Sequence, residues 1–281
     1  RHQGVGQDMA RPLPLRPAEF LSPGQMQRIH DTALAILREV GLLVVHPALR
    51  QAVERAGLAV RGDRILFEPR MVDEYVHEHR RRLAAEQPAT PQVDAPLTLG
   101  VSSYHHHVHC PETDEVVPFT TDRLIEMTRF ADTLAERGVL CSVPGFPADV
   151  PVELHPLIQY RIGAEYSRQG GALGDISAPW VMEHLFAMAE VMGRPIRALP
   201  VYGISPLRLG GESLDLVLRF QERLDRVHVS FMPAAGATAP VEPLGALALN
   251  AAEVLGSAVT LALATRLRVD FALSEIGRAH V

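Results

Sequence analysis

The chain has 281 residues, of which 47% are hydrophobic and 21% charged, and its formal net charge is −6. This composition suits a large apolar core, and the absence of a basic stripe argues against a nucleic-acid partner. Only two cysteines are present, Cys110 and Cys141, which excludes the small disulfide-rich secreted class and favours a reducing, cytoplasmic setting.

The N-terminal part predicts an arm followed by a small extension. Residues 1–20 are polar and rich in proline, which is typical of an arm without its own core. Ser22, Pro23 and Gln25 then give the pattern of a helix start with a capping box. Helices alternate with short strands up to residue 96, so we expect an α+β extension, mainly helical, over residues 21–96.

A repeating pattern of strands and helices characterises the later chain. We expect strands at residues 139–143, 171–176, 198–203, 227–232 and 269–272, spaced by about thirty residues, the size of a βαβ unit. Their short apolar runs predict a parallel α/β sheet covered by helices. The first strand is followed by Pro144-Gly145-Phe146-Pro147 instead of a glycine-rich dinucleotide fingerprint. This favours a TIM-type (β/α)8 barrel over a doubly wound sheet.

The count of units predicts an incomplete barrel. A closed barrel needs eight strands, and residues 97–273 contain only four to five βα units. The last residues, 274–281, resemble translated sequencing-adapter sequence, so we expect them to be a non-native tail. The chain would then be a fragment that is inactive when it is expressed alone.

An apolar stretch at residues 244–264 has the length of a membrane span. Asn250 and Glu253 lie in its middle, where hydrocarbon would not tolerate them. We therefore expect a buried helix of a soluble protein and no membrane partner.

A histidine cluster precedes the predicted barrel, at Tyr104-His105-His106-His107-Val108-His109-Cys110. On a strand, alternate residues share one face at steps of about 7 Å, which is wide for a single tetrahedral ion. We expect no tightly bound metal here. A polar hairpin or a partner contact is the interpretation that we prefer.

Several motifs together resemble those of the trimethylamine methyltransferase (MttB-like) family. They are the Leu21-Ser22-Pro23 helix start, Ser205-Pro206-Leu207, the loop at residues 232–240 and Asn250-Ala251-Ala252-Glu253. The resemblance implies an N-terminal extension ahead of a TIM-type barrel. It also implies a corrinoid-dependent methyltransferase, which moves a methyl group from a methylated amine such as trimethylamine or glycine betaine to cobalamin carried by a partner protein. Methanogenesis and one-carbon metabolism use such reactions, and the branch with or without pyrrolysine stays open.

The predicted substrate-binding residues lie near the carboxyl ends of the strands, where barrel enzymes place their active sites. Aromatic faces and a carboxylate would hold a quaternary ammonium group, which has no N–H to donate. They would come from Phe146, Tyr202, Phe231 and Asp175. For each aromatic ring, ordinary packing is the competing interpretation, and for Asp175 it is a helix cap.

Three further residues complete the predicted set. Met232 and Gly236 belong to a loop of small residues that would let a flat corrinoid face approach the backbone; a tight βα loop is the plain alternative. Glu253 would orient a loop or a substrate group, or simply pair with a neighbouring group. No residue is assigned as catalytic.

Other functions remain compatible with these patterns. One is a non-catalytic relative that binds betaines, and another is a lyase or hydrolase on the same barrel. A homo-oligomer is also possible.

Overall fold

The structure is a computed structural model that describes residues 20–86, 99–100, 104–171, 173–176 and 178–271. These residues form two compact units. The main unit comprises the described residues of 20–86 and 176–271, and the inserted unit those of 99–175. The expected tail at 274–281, almost all of the expected arm at 1–20 and the expected boundary at residues 96–97 lie outside the described residues.

The main unit begins with the predicted α+β extension. Its elements are α1 (Pro23–Glu39), β1 (Leu42–Val44), α2 (Pro47–Arg55), β2 (Ala59–Arg61), β3 (Arg64–Leu66) and α3 (Pro69–Glu86). The predicted capping box is confirmed: Gln25 N–H donates to Ser22 Oγ at 3.2 Å, and Ser22 N–H donates to Gln25 Oε1 at 2.8 Å. The antiparallel pairs β2–β3 and β3–β1 build most of a small sheet.

The inserted unit has a core of its own. Its elements are β4 (Leu99–Gly100), β5 (His107–Cys110), β6 (Glu115–Pro118), α4 (Thr121–Leu134), β7 (Val139–Leu140) and α5 (His155–Tyr166). β5 and β6 form an antiparallel hairpin, and β4 pairs with β7 in parallel. The buried residues Phe119, Leu124, Val143 and Ile162 form the core between these elements.

The main unit continues with the predicted βα repeats. Its remaining elements are α6 (Pro179–Val191), β8 (Ala198–Tyr202), β9 (Arg208–Leu209), α7 (Glu212–Phe220), β10 (Arg226–Ser230), α8 (Pro243–Ala264) and β11 (Arg268–Phe271). β8, β10 and β11 form a parallel sheet with β10 in the middle. α7 connects β8 to β10 and α8 connects β10 to β11, which gives two consecutive βαβ units. β9 leaves this sheet and pairs with β1 in parallel.

α8 is the central helix of the main unit. It packs against α1, α2 and α3, and it makes its closest approach to α1 at Gly256, where an added Cβ would lie 2.7 Å from Leu37 Cδ2. Within the described part of the chain, α8 is the one helix long and apolar enough to cross a membrane, and it is mostly buried inside the protein. The prediction of a buried core helix is therefore confirmed.

Two of the five predicted strands differ from the repeating pattern. The strand expected at 139–143 is reduced to β7, and its partner is β4 of the inserted unit. The strand expected at 171–176 is wrong, because residues 171 and 173–176 form none. Gly170, Gly171 and Gly174 weaken strand pairing, and Gly171 lies directly against the Tyr160 ring of α5.

The fold class is therefore confirmed as mixed α/β, whereas a closed barrel is not seen in the described residues. Three of the expected strands form an open parallel sheet, and the predicted (β/α)8 barrel stays a prediction.

Candidate functional site

Phe146 lies at the centre of an aromatic cluster in the inserted unit. Its ring centroid is 5.1 Å from that of His106 and 5.6 Å from that of His155, with both pairs nearly parallel. The Tyr104 ring meets Phe146 edge-on at 5.8 Å. Such distances are those of favourable aromatic contacts. The cluster therefore presents several ring faces within a small region.

The backbone around Phe146 is tightly held. Phe146 N–H donates to the carbonyl oxygen of His105 at 2.9 Å, and Gln159 Nε2 donates to Gly145 O at 2.9 Å. Gly145 lies so close to the Phe119 ring that an added Cβ would be 2.7 Å from it. This close contact explains the glycine before Phe146.

A carboxylate lies beside this cluster. Tyr104 Oη donates to Asp175 Oδ1 at 3.1 Å, while the Tyr104 ring contacts Phe146. The structure thus brings together two predicted site residues, Phe146 and Asp175, through Tyr104. The sequence interpretation missed this bridge, because it weighed the 104–110 stretch for metal binding, a polar hairpin or a partner contact, and not for a contact with Asp175. The tyrosine at the start of that stretch was the available indication.

The histidine cluster forms the predicted hairpin. His107 and His109 lie on β5 with exposed side chains, and His109 Nε2 is 2.8 Å from Asp114 Oδ1 across the turn. His106 instead stacks on Phe146. Over the described ranges, no group of three or more His, Cys, Asp or Glu side chains is arranged to hold a metal ion.

The two other predicted aromatic residues belong to the main unit, at the ends of β8 and β10. Tyr202 ends β8 and is 38% exposed, whereas Phe231 follows β10 and is 1% exposed. Gly203 packs directly on the Phe231 ring, since an added Cβ would lie 2.0 Å from Phe231 Cζ. Packing accounts for the buried Phe231, and the substrate contacts expected of both rings stay predictions.

The loop after β10 has little side-chain bulk. Met232 is 52% exposed, and residues 234–237 are Ala-Ala-Gly-Ala. The Ala234 carbonyl oxygen accepts from the N–H groups of residues 237, 238 and 239, and Ala234 N–H donates to Thr238 Oγ1. Gly236 has a φ of +81°, a backbone conformation that favours glycine. The loop therefore satisfies its own polar groups and presents a smooth surface.

Glu253 is fully buried in α8 and contacts the turn after β8. Its Oε1 accepts from Leu207 N–H at 2.8 Å and its Oε2 from Ser205 Oγ at 3.0 Å. Burial raises the pKa of Glu253 to about 7, although both hydrogen bonds act in the opposite direction. These contacts agree with the expected role in orienting a loop, and that role and the expected contact with a substrate group both stay predictions.

Comparison with known proteins identifies a family for the N-terminal part of this chain. Residues 4–131 match the family described as trimethylamine methyltransferase (MTTB). The match includes the Leu21-Ser22-Pro23 helix start and confirms the resemblance over these residues, whereas the motifs after residue 131 lie outside it; the family is one of methyltransferases. The match spans the whole N-terminal extension and the part of the inserted unit that carries Tyr104 and His106. No curated protein has a significant match to the chain.

Proposed function

We propose that this chain, whose residues 4–131 match the trimethylamine methyltransferase family, transfers a methyl group from a tertiary or quaternary methylated amine to a corrinoid held by a partner protein. The observation that carries the proposal is the arrangement of Tyr104, Phe146 and Asp175 in the inserted unit. Aromatic faces and a carboxylate attract the same ligand, a methylated ammonium ion.

The aromatic rings supply attraction without hydrogen bonds. A quaternary ammonium has no N–H group, so only ring faces and negative charge can recognise it. Tyr104 presents such a face and is 51% exposed, and the Phe146 ring packs against it at 5.8 Å. A cation–π contact of this kind contributes about 0.5–2 kcal/mol to binding.

Asp175 supplies the charge, and Tyr104 orients it. The hydrogen bond from Tyr104 Oη occupies one carboxylate oxygen, while the side chain as a whole remains exposed. The carboxylate can therefore face a cation next to the Tyr104 ring. When a nucleophile bonds to the methyl carbon, the C–N bond would break, and the amine would leave with its electron pair and lose its positive charge.

The loop of residues 232–240 suits the methyl acceptor. Its small side chains and internally bonded backbone fit the approach of a large flat ring, and Gly236 and Ala237 are exposed at its tip. The corrinoid supplies the nucleophile that accepts the methyl group. Met232 and Gly236 are the residues that we propose to contact it.

We also propose a complete barrel and a cytoplasmic location for this protein. The parallel sheet of β8, β10 and β11 would belong to a (β/α)8 barrel, with Tyr202 and Phe231 at its carboxyl end. The protein would act in the cytoplasm, and among the described residues the one helix of membrane-spanning length is mostly buried.

Calorimetric titration of the 281-residue chain with trimethylammonium chloride and with tetramethylammonium chloride tests the ammonium site. Phe146→Leu removes the ring against which Tyr104 packs, and we expect it to weaken binding by roughly threefold to thirtyfold. Asp175→Asn should also weaken binding of both ions. Asp114→Asn is the matched control, because Asp114 is an exposed carboxylate of the hairpin that lies outside the aromatic cluster. Equal affinities in all four proteins would contradict the site.

Methyl transfer requires a separate assay. Free cob(I)alamin is mixed with the chain and either trimethylamine or glycine betaine, and the loss of its absorption is followed. Turnover that depends on the protein and is lowered in Phe146→Leu supports the proposal. Binding of the ammonium ions without any transfer is the result expected of an inactive fragment, and it would equally suit the non-catalytic betaine-binding alternative.

A further inference from the structure

A sharp turn follows β8 in the main unit, formed by residues 204–208. Ile204 and Arg208 close it with two backbone hydrogen bonds, of 2.9 and 3.1 Å. Its position at the carboxyl end of a parallel strand is the usual place for residues that contact ligands in this class of sheet. The conformation of this turn therefore decides which groups at the carboxyl end of β8 a ligand could contact.

The turn does not hold its conformation by local preference alone. Leu207 has a φ of +55°, which is unusual for a residue with a branched side chain and costs free energy. Surrounding contacts must compensate for that cost. Leu207 O accepts from Leu43 N–H of β1 at 2.8 Å, which fixes one side of the peptide chain.

Glu253 provides the contacts on the other side. We propose that Glu253 is a positioning residue, which reaches from α8 to hold Ser205 and Leu207 and thereby fixes the 204–208 turn at the carboxyl end of β8. Each carboxyl oxygen takes one partner, so the two bonds, of 3.0 and 2.8 Å, define both the position and the rotation of the turn. The inference does not depend on the proposed methyl transfer.

The same contacts set the direction of the Ser205 hydroxyl. While Glu253 is a carboxylate, Ser205 must donate its proton to Oε2, and the Ser205 oxygen then offers lone pairs to any other partner. When Glu253 is protonated, the carboxyl group can donate to Ser205 instead, and Leu207 N–H still donates to Oε1. The turn can therefore stay closed in both protonation states.

The environment of Glu253 is apolar. The elements packed against α8 carry charged or titratable groups such as Arg38, Arg50, Arg82, Arg208, His228 and Asp270. None of them contributes to the shift in the pKa of Glu253, which arises from burial and is opposed by the two hydrogen bonds. Opening the turn would let water reach the carboxyl group, and ionisation would then favour the open form.

The pKa of Glu253 differs between the closed and the open turn, and this difference sets the direction of the pH effect. The pKa of Glu253 is about 7 when the turn is closed and lies near the usual 4.5 when the group is solvated. Opening therefore becomes easier as pH rises through about 7. Between pH 6 and 8 the change in the opening equilibrium is about tenfold for full solvation of the carboxyl group.

Amide hydrogen exchange of the full chain, read by mass spectrometry at pH 6 and pH 8, tests the proposal. After correction for intrinsic exchange rates, a peptide containing residues 203–209 should lose up to about tenfold in protection at the higher pH. Glu253→Gln keeps an acceptor for Leu207 N–H but cannot ionise. It should therefore retain protection at both pH values, whereas Glu253→Ala should lose tenfold or more in this peptide.

Two further variants make the result specific. Ser205→Ala removes one of the two bonds, and we expect it to raise exchange in the 203–209 peptide while the peptide that contains β10 is unchanged. Glu242→Gln is the matched control, because Glu242 also accepts a backbone N–H, from Gly245, but is exposed at the start of α8. Identical pH profiles for the natural chain and Glu253→Gln would overturn the proposal. So would unchanged exchange of the peptide in Ser205→Ala, even if Glu253→Ala fails to fold.

Discussion

Gly203 shows how a single missing side chain shapes the main unit. It follows β8, and an added Cβ would lie 2.0–2.4 Å from three atoms of the buried Phe231 ring. Gly203→Ala should therefore lower the free energy of unfolding of the main unit by about 1–3 kcal/mol, the usual cost of overpacking. Urea unfolding followed by the fluorescence of Trp180 measures this, because Trp180 is the one tryptophan and lies in α6 of the main unit.

A second glycine provides the control for that measurement. Gly24 lies in the first turn of α1, and an added Cβ there would meet no atom within 4 Å. Gly24→Ala should leave stability unchanged or raise it by up to about 1 kcal/mol, because alanine favours helix. Equal unfolding midpoints for Gly203→Ala and the natural chain would show that Phe231 has room to move.

Contacts of single residues also decide which aromatic rings a ligand could reach. Phe231 is buried beneath Gly203, whereas Phe146 lies in a cluster with exposed members. Phe146 follows one predicted strand and Phe231 lies near the end of another, and both are predicted to contact the substrate. Gly203, which follows the neighbouring strand β8, covers the Phe231 ring. The Phe146 ring instead contacts Tyr104 of its own unit, which is itself exposed.

At the scale of elements, the contact between α1 and α8 joins the N-terminal extension to the parallel sheet. Gly256 permits it, with Leu37 on the facing surface and Phe67 beside it. Gly256→Leu would place four carbon atoms in this contact, and we expect a loss of about 2–3 kcal/mol in the unfolding free energy. Urea unfolding followed by the fluorescence of Trp180 measures this loss.

A position on the same helix separates this packing effect from a change in helix propensity. Leu263 lies in α8 and is 41% exposed. Leu263→Ala should change stability by less than about 1 kcal/mol, as is usual for partly exposed positions. If Gly256→Leu were equally mild, α1 and α8 would not depend on their close approach.

At the scale of the whole molecule, the pH dependence of stability should reveal the buried carboxyl group. Because the pKa of Glu253 is raised from 4.5 to about 7 on folding, its contribution to stability is complete below pH 4.5 and is lost as pH rises through 7. Glu253→Gln should therefore gain stability relative to the natural chain, by about 2–3 kcal/mol between pH 5 and pH 8.

The stability of the natural chain must be compared with that of Glu253→Gln, because His79 changes the free energy of unfolding with pH in the opposite direction. Burial lowers the pKa of His79, so its protonation destabilises the folded protein as pH falls below about 6.5. This effect is common to both proteins and cancels in their difference. A stability difference between the two that stays constant from pH 5 to pH 8 would contradict a buried, titrating Glu253.

The sequence by itself determined those features that depend on residues close together along the chain. The capping box at Ser22, the strand and helix periods of the main unit, the buried α8 and the family resemblance follow from local pattern, and the structure or the family match confirms each. Local rules suffice because caps and periodic apolar faces involve residues within a few positions of one another.

Only the tertiary structure decided the rest. The glycine-rich segment near residue 171 has the apolar character of a strand, yet Gly171 packs against Tyr160 of α5, and the described residues 171 and 173–176 form no strand. The bridge of Tyr104 between Phe146 and Asp175 joins residues up to 71 positions apart, and Glu253 meets Ser205 and Leu207 across more than 45. Such contacts are set by how the elements pack, because a side chain's partners across the fold leave no period or spacing in the sequence.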